Sequence, residues 1–147
     1  MSDASGVFAE LLERMTSAIC AGDAQAAASC FTPDGVYHDG FYGEFTGREA
    51  IAGMITGLFY RDASDFVWQV SDACSDGFMG YARYRFTYVS KIPGSEGRRV
   101  GFAGISCCAL EGGCIRRYSE FFERAPVLVQ LGFGDQRILK SIMRWVK

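Results

Sequence analysis

Apolar residues recur at Phe8, Leu11, Leu12, Met15 and Ile19. That spacing is close to the helical period and predicts an amphipathic helix over Val7 to Cys20, with Glu10, Glu13 and Arg14 toward water. Gly22 stops this helix, and Asp23 is a natural N-cap for a second, Ala-rich helix reaching Cys30. Phe31 is expected to pack back against the first helix. Thr32-Pro33-Asp34-Gly35 reads as a turn. Val36 to Asp39 follows as a short strand, and a Gly-rich loop then runs to Gly47. Arg48 to Phe59 predicts a third helix with Ile51, Met54, Ile55 and Leu58 on one side, although Gly53 and Gly57 lower its propensity. Beyond that point the pattern changes to strand. Asp65 to Cys74, Met79 to Ser90, Val100 to Leu110 and Cys114 to Glu123 are joined by Asp76-Gly77, a Gly- and Pro-containing hairpin loop over Ile92 to Arg99, and Glu111-Gly112-Gly113. Pro126 to Leu131 and Gln136 to Val146 have helical character and are split by Gly132 and Gly134.

Three helices followed by a meander of long strands is an α+β order. A sheet of this kind buries one face on the helices by curling, which makes a cone with an interior cavity. With 147 residues the chain suits one domain, 1–147, around one core.

Charge removes one class of partner. A net charge of −2 and a pI of about 5.4 leave no basic excess to neutralise phosphates, so no nucleic acid is expected. No apolar run is long enough to cross a bilayer. The stretch Met1 to Gly6 lacks the basic and apolar regions of a signal peptide, so a cytoplasmic location is expected. The six cysteines contain no C-x-x-C pair, and His38 is the sole histidine, so no metal site is expected. No phosphate loop or dinucleotide fingerprint is present, and no cofactor is implied.

The order Ala21-Gly22-Asp23, Ala-rich helix, Cys30-Phe31-Thr32-Pro33-Asp34-Gly35 resembles the start of a SnoaL-like domain of the nuclear transport factor 2 superfamily. Tyr37-His38-Asp39, Thr46-Gly47-Arg48-Glu49-Ala50-Ile51, Leu110-Glu111-Gly112-Gly113-Cys114-Ile115 and Tyr118-Ser119-Glu120-Phe121-Phe122 extend the resemblance over nearly the whole chain. It implies a cone-shaped, curved mixed sheet packed on three N-terminal helices, here with a C-terminal helical extension. That fold hosts isomerases, cyclases, hydrolases, dehydratases and non-catalytic binders.

Two enzyme families of this fold can be compared position by position. Asp39 matches the general base of ketosteroid isomerase, but Met15 and Ser106 stand where that family has its oxyanion-hole Tyr and its second Asp. The resemblance to limonene epoxide hydrolase goes further. Tyr37 matches its water-positioning Tyr, Arg85 its Arg and Glu120 one Asp of its triad, while Asp39 stands in place of an Asn and Thr87 in place of the other Asp. The correspondence implies that Arg85, Thr87 and Val89 face the interior of the cone, together with Tyr118, Glu120 and Phe122 of the last strand and with Phe102. Ile19, Leu58 and Val67 complete the implied lining. Arg85 could then pair with Glu120, as a structural ion pair or as an orienting group for a catalytic carboxylate. Asp39 could be a base or could cap the turn at Gly40.

Strand alternation would leave Tyr84, Phe86, Tyr88, Arg117, Ser119 and Phe121 on the other face. That much aromatic surface rarely stays open to water, and a homodimer through this face is expected. The expected occupant is an apolar, cyclic small molecule. The leading function is a cofactor-independent acid–base enzyme, a hydrolase, isomerase or cyclase. Asp39 or Glu120 would be acid or base, with Arg85 and Tyr37 positioning. The alternative is a non-catalytic binding or interaction module of the same fold.

Overall fold

The computed structural model describes residues 3–146. Residues 1, 2 and 147 lie outside the described residues, and with them the start of the polar Met1 to Gly6 stretch. Helix α1 covers Ala4–Cys20, one turn earlier than the periodicity indicates, because the Asp3 carboxylate accepts the Gly6 amide and caps it. Its stripe of Phe8, Leu11, Leu12, Met15 and Ile19 is buried. Asp23 caps α2 (Ala24–Ser29) through the Ala26 amide, as expected.

Strand β1 covers Phe31–Asp39 and so absorbs the expected turn at Thr32 to Gly35. The turn residues sit in an irregularity, where the pairing register with the last strand shifts between Phe31 and Val36. A bulge of this kind tolerates Pro33 within a strand. The Gly-rich loop folds back as β2 (Gly43–Thr46). The third helix begins at Arg48 but is α-helical only to Met54 (α3); Ile55–Phe59 winds as a π-turn, and a short α4 (Tyr60–Asp62) follows. Tyr60 secures this segment by donating its hydroxyl hydrogen to the Ile19 carbonyl at 2.7 Å.

Strands β3 (Ala63–Ser75), β4 (Met79–Ser90), β5 (Arg99–Glu111) and β6 (Cys114–Phe122) complete a six-stranded sheet of order β2-β1-β6-β5-β4-β3. Only β1 and β6 run parallel, which makes the sheet mixed, and β2 and β3 remain as open edges. Asp65 and Asp72 take positive φ values of 54° and 53° where the β3–β4 register slips, and these bulges bend β3 around the helices. The helical extension forms as α5 (Ala125–Gln130) and α6 (Asp135–Arg144).

Two apolar clusters result. The larger packs α1, α2 and α3 on the sheet around Phe8, Leu12, Phe31, Ile51 and Ile115. Gly80 admits the Phe8 ring, since a Cβ there would lie 2.6 Å from it. The smaller joins Val100 to Val127 and Leu131 of the α5 region. Between the two clusters the sheet is hollow.

Candidate active site

The parallel pairing of β1 with β6 builds the site. Tyr37 lies beside Tyr118 and His38 beside Ser119, so the next step along both strands brings Asp39 to Glu120. The Asp39 carboxylate accepts the amides of Phe41 and Tyr42 at 2.8 and 2.9 Å, which turns the chain out of β1. The turn-capping reading of Asp39 therefore holds, and the same side chain also faces the cavity. Glu120 accepts the Gly40 amide at 3.1 Å and the Tyr118 hydroxyl hydrogen at 3.3 Å, and Tyr118 lies 3.0 Å from the Ser106 hydroxyl. Only a glycine fits at position 40, since a Cβ there would lie 2.7 Å from the Phe122 ring.

The two carboxyls are within hydrogen-bond reach of each other. Burial raises both above the ordinary carboxylate range. Two amide hydrogen bonds hold Asp39 back from that rise, whereas the charge of Asp39 pushes Glu120 up further. Burial and mutual repulsion thus favour one proton on the pair, held on Glu120, with Asp39 the first of the two to ionise. Burial likewise raises Tyr37 and Tyr118, both of which stay neutral phenols.

The cavity in front of this pair encloses about 630 Å³ counting its solvent-open mouth. That is space for a small-molecule occupant. Nine aromatic side chains line it, together with Ile19, Ala63, Ile92 and the carboxyls of Asp39, Glu120 and Asp62. Asp62 stands beside the Tyr42 hydroxyl, which donates to it at 2.5 Å, and is ion-paired with Arg61 at 2.7 Å, which lowers its pKa. Tyr88 is pushed up to about 12 by burial. Two buried polar atoms in the wall, Trp68 Nε1 and the Tyr84 hydroxyl, find no partner among the described residues, an arrangement that costs about 1–3 kcal/mol per group when left uncompensated.

Of the residues expected at the site, Asp39, Glu120, Tyr37, Ile19 and Phe102 line the cavity. Tyr118 is fully buried one layer behind, holding Glu120. Phe122 stacks on Phe102 at 4.1 Å and faces a second pocket instead. Leu58 packs against the helical core.

The assignment for β4 is reversed. Arg85, Thr87 and Val89 point away from the cavity, and Tyr84, Phe86 and Tyr88, expected outside, form its wall. The pairings explain why. Phe86 opposes both Trp68 and Phe102, so these rings share one face. Val67, opposite Thr87, is consequently 47% exposed on the outer surface. An ion pair of Arg85 with Glu120 is excluded, since the two side chains lie on opposite faces. An aromatic face against a face carrying Arg83 and Arg85 has a clear physical preference for the interior, because burying the rings is favourable and burying two unpaired guanidinium groups is not. Sequence reasoning missed Tyr84, Phe86, Tyr88, Trp68 and the mouth residues Tyr42 and Asp62. Period-two alternation of aromatic residues was the signal for the β4 set.

Comparison with known proteins agrees with this architecture. The family model described as SnoaL-like domain matches residues 12–118. Curated protein sequences offer no match. Among solved structures, a hypothetical protein with a ketosteroid isomerase-like fold from Catenulispora acidiphila DSM 44928, in complex with trimethylamine, is 20% identical with a TM-score of 0.76, covering 85% of this chain and 94% of its own. An LEH-like epoxide hydrolase from M. tuberculosis is 15% identical with a TM-score of 0.70, over 95% and 97% of the two chains. An NTF2-like protein of unknown function from Burkholderia pseudomallei K96243 is 12% identical with a TM-score of 0.73, over 90% and 100%.

Proposed function

The chain belongs to the SnoaL-like domain family, and from that premise we propose that it is a cofactor-independent acid–base enzyme acting on a small, largely apolar, cyclic molecule. The observation that carries this reading is the pair of buried carboxyls, Asp39 and Glu120, meeting at the wall of an apolar cavity. Two titratable groups whose environments separate their proton affinities divide the roles of acid and base.

Asp39, ionised and fixed by two amides, takes a proton from the substrate or from a water beside it. Glu120 gives its proton to the atom that gains electron density, and the proton on Asp39 then returns to Glu120 to restore the pair. The cycle leaves no net charge on the protein and suits isomerisation, ring closure or addition of water. Tyr118, itself held by Ser106, is a positioning residue that keeps Glu120 turned toward Asp39. Arg85 has no part in it.

A turnover screen of cyclic ketones, epoxides and lactones, run beside Asp39→Asn and Glu120→Gln, tests the proposal. Each substitution is expected to lower kcat/KM by about 100-fold or more. Turnover equal to wild type in both variants would sink the acid–base role. Binding of such molecules without chemical change would leave a non-catalytic binding module.

We also propose a homodimer through the outer sheet face, supported by the exposure of Val67, Tyr81, Ile105 and Phe121 there. Sedimentation equilibrium reads this directly, and a monomer at all concentrations would refute it.

A further inference from the structure

The cavity has a charge pattern that proton transfer alone does not require. Its lining holds three carboxyl groups and, among the described residues, no Lys, Arg or His. Asp62 is answered by Arg61. The charge of the Asp39–Glu120 pair is answered chiefly by amide N–H groups and the Tyr118 hydroxyl; His38, half-exposed on the outer face, also acts on Asp39. Arg124 and Arg144 line a neighbouring groove that also borders Asp39 and Glu120, but Arg124 is occupied with the Gly40 carbonyl and the Trp145 ring, and among the described residues no ion pair joins either arginine to the two carboxyls. A buried negative charge with no cation in direct contact on its cavity side is a strong electrostatic demand.

The rest of the wall is aromatic, and nearly all the surface it presents is carbon. Phe86 packs edge-to-face on Trp68 and tilted on Phe102, at centroid distances of 5.2 and 5.4 Å, and all three rings line the cavity. A cavity that is negative yet offers little hydrogen-bonding surface discriminates among cations. A primary ammonium brings three N–H donors that need acceptors. A methylated ammonium spreads its charge over carbon and needs aromatic surface instead.

We propose that the molecule bound here carries a small quaternary or tertiary ammonium group, seated among the rings with its charge toward Asp39 and Glu120. The proposal rests on the reading of this cavity as the substrate site and names the substrate class for it. A head group of choline size fits a cavity of about 630 Å³ counting its open mouth.

The test is a binding comparison on the full chain, by calorimetry and by NMR, with choline, its uncharged carbon isostere 3,3-dimethyl-1-butanol, and ethanolamine. Choline is expected to bind at least about tenfold more tightly than the isostere, from cation–π and charge attraction, and more tightly than ethanolamine. The methyl resonance of bound choline should show contacts to the Trp68 and Phe86 ring protons. Phe86→Leu should weaken choline more than the isostere, and Asp39→Asn should bring the two together, with the fold of each variant checked by its amide spectrum. Equal binding of choline and its isostere overturns the proposal, as does failure of choline to bind. Turnover is a separate readout. Choline selectivity with no effect of Glu120→Gln on any turnover would leave the ammonium site standing and remove the acid–base reading. Loss of turnover in Glu120→Gln with no preference for the cation would do the reverse.

Discussion

The two ends of the sheet are built from the same strands and treat their interiors oppositely. At the helical end, Phe8, Leu12, Met15, Ile51 and Ile115 are at most 1% exposed and fill the space between α1, α3 and the sheet. At the other end β3, β4 and β5 carry aromatic rings around a void, and β1 and β6 place two carboxyls in its wall. One end spends its apolar surface on packing. The other leaves rings incompletely covered and keeps charge where charge is unfavourable. The lesson is that stability comes from the filled end and chemistry from the hollow one, and each can be perturbed while the other is watched.

The largest expected difference is in truncation. Phe8→Ala removes a fully buried ring from the filled end and should cost about 3–5 kcal/mol in urea unfolding. Phe86→Ala, whose ring already borders a void, should cost clearly less. Equal losses would break the comparison.

Two glycines probe close packing at the two ends. Gly80→Ala meets the Phe8 ring at 2.6 Å, and Gly104→Ala meets the Phe121 carbonyl at 2.5 Å and the Tyr84 hydroxyl at 2.7 Å. Each should destabilise by about 1–3 kcal/mol. Gly104→Ala should in addition displace Tyr84 and change ligand affinity, which Gly80→Ala should not.

The carboxyl pair predicts a pH effect confined to the hollow end. The folded state raises the Glu120 pKa well above 4.5. The stabilising contribution of its bound proton is therefore complete below about pH 4.5, where the unfolded chain is protonated too. It is lost as pH rises, at up to about 1.4 kcal/mol per pH unit, until Glu120 ionises in the folded protein. Urea midpoints across this range should fall for wild type relative to Glu120→Gln. Parallel curves would show that Glu120 ionises normally.

The smallest expected effect is Arg85→Ala. On an exposed outer position it should change stability by no more than about 0.5 kcal/mol and leave binding in the cavity unaltered.

Much of the framework was legible before the fold was known. The stripe of α1, the cap at Asp23 and the four long strands follow from period and turn chemistry, and β4 runs from Met79 to Ser90 as read. The turn reading at Thr32 to Gly35 failed because tertiary pairing with β6 drew those residues into β1 as an irregularity. The helix over Arg48 to Phe59 starts where read but continues through Tyr60–Asp62, and its π-turn depends on packing that no local propensity encodes.

Among the site residues, alternation along Met79 to Ser90 divides the strand into an aromatic face and an arginine face, and hydrophobicity favours the aromatic face inward. The resemblance to a hydrolase family pointed the other way, and the side chains followed the hydrophobic effect. What the amino-acid order determined alone is thus the set of elements and the two faces of each strand, because these depend on neighbours within a few residues. The meeting of Asp39 with Glu120, the burial that favours one proton on the pair and the hollow in front of them were decided only by the tertiary structure. Parallel pairing of the first and last strands joins groups from distant parts of the chain, and proton affinity is set by what surrounds a carboxyl in space.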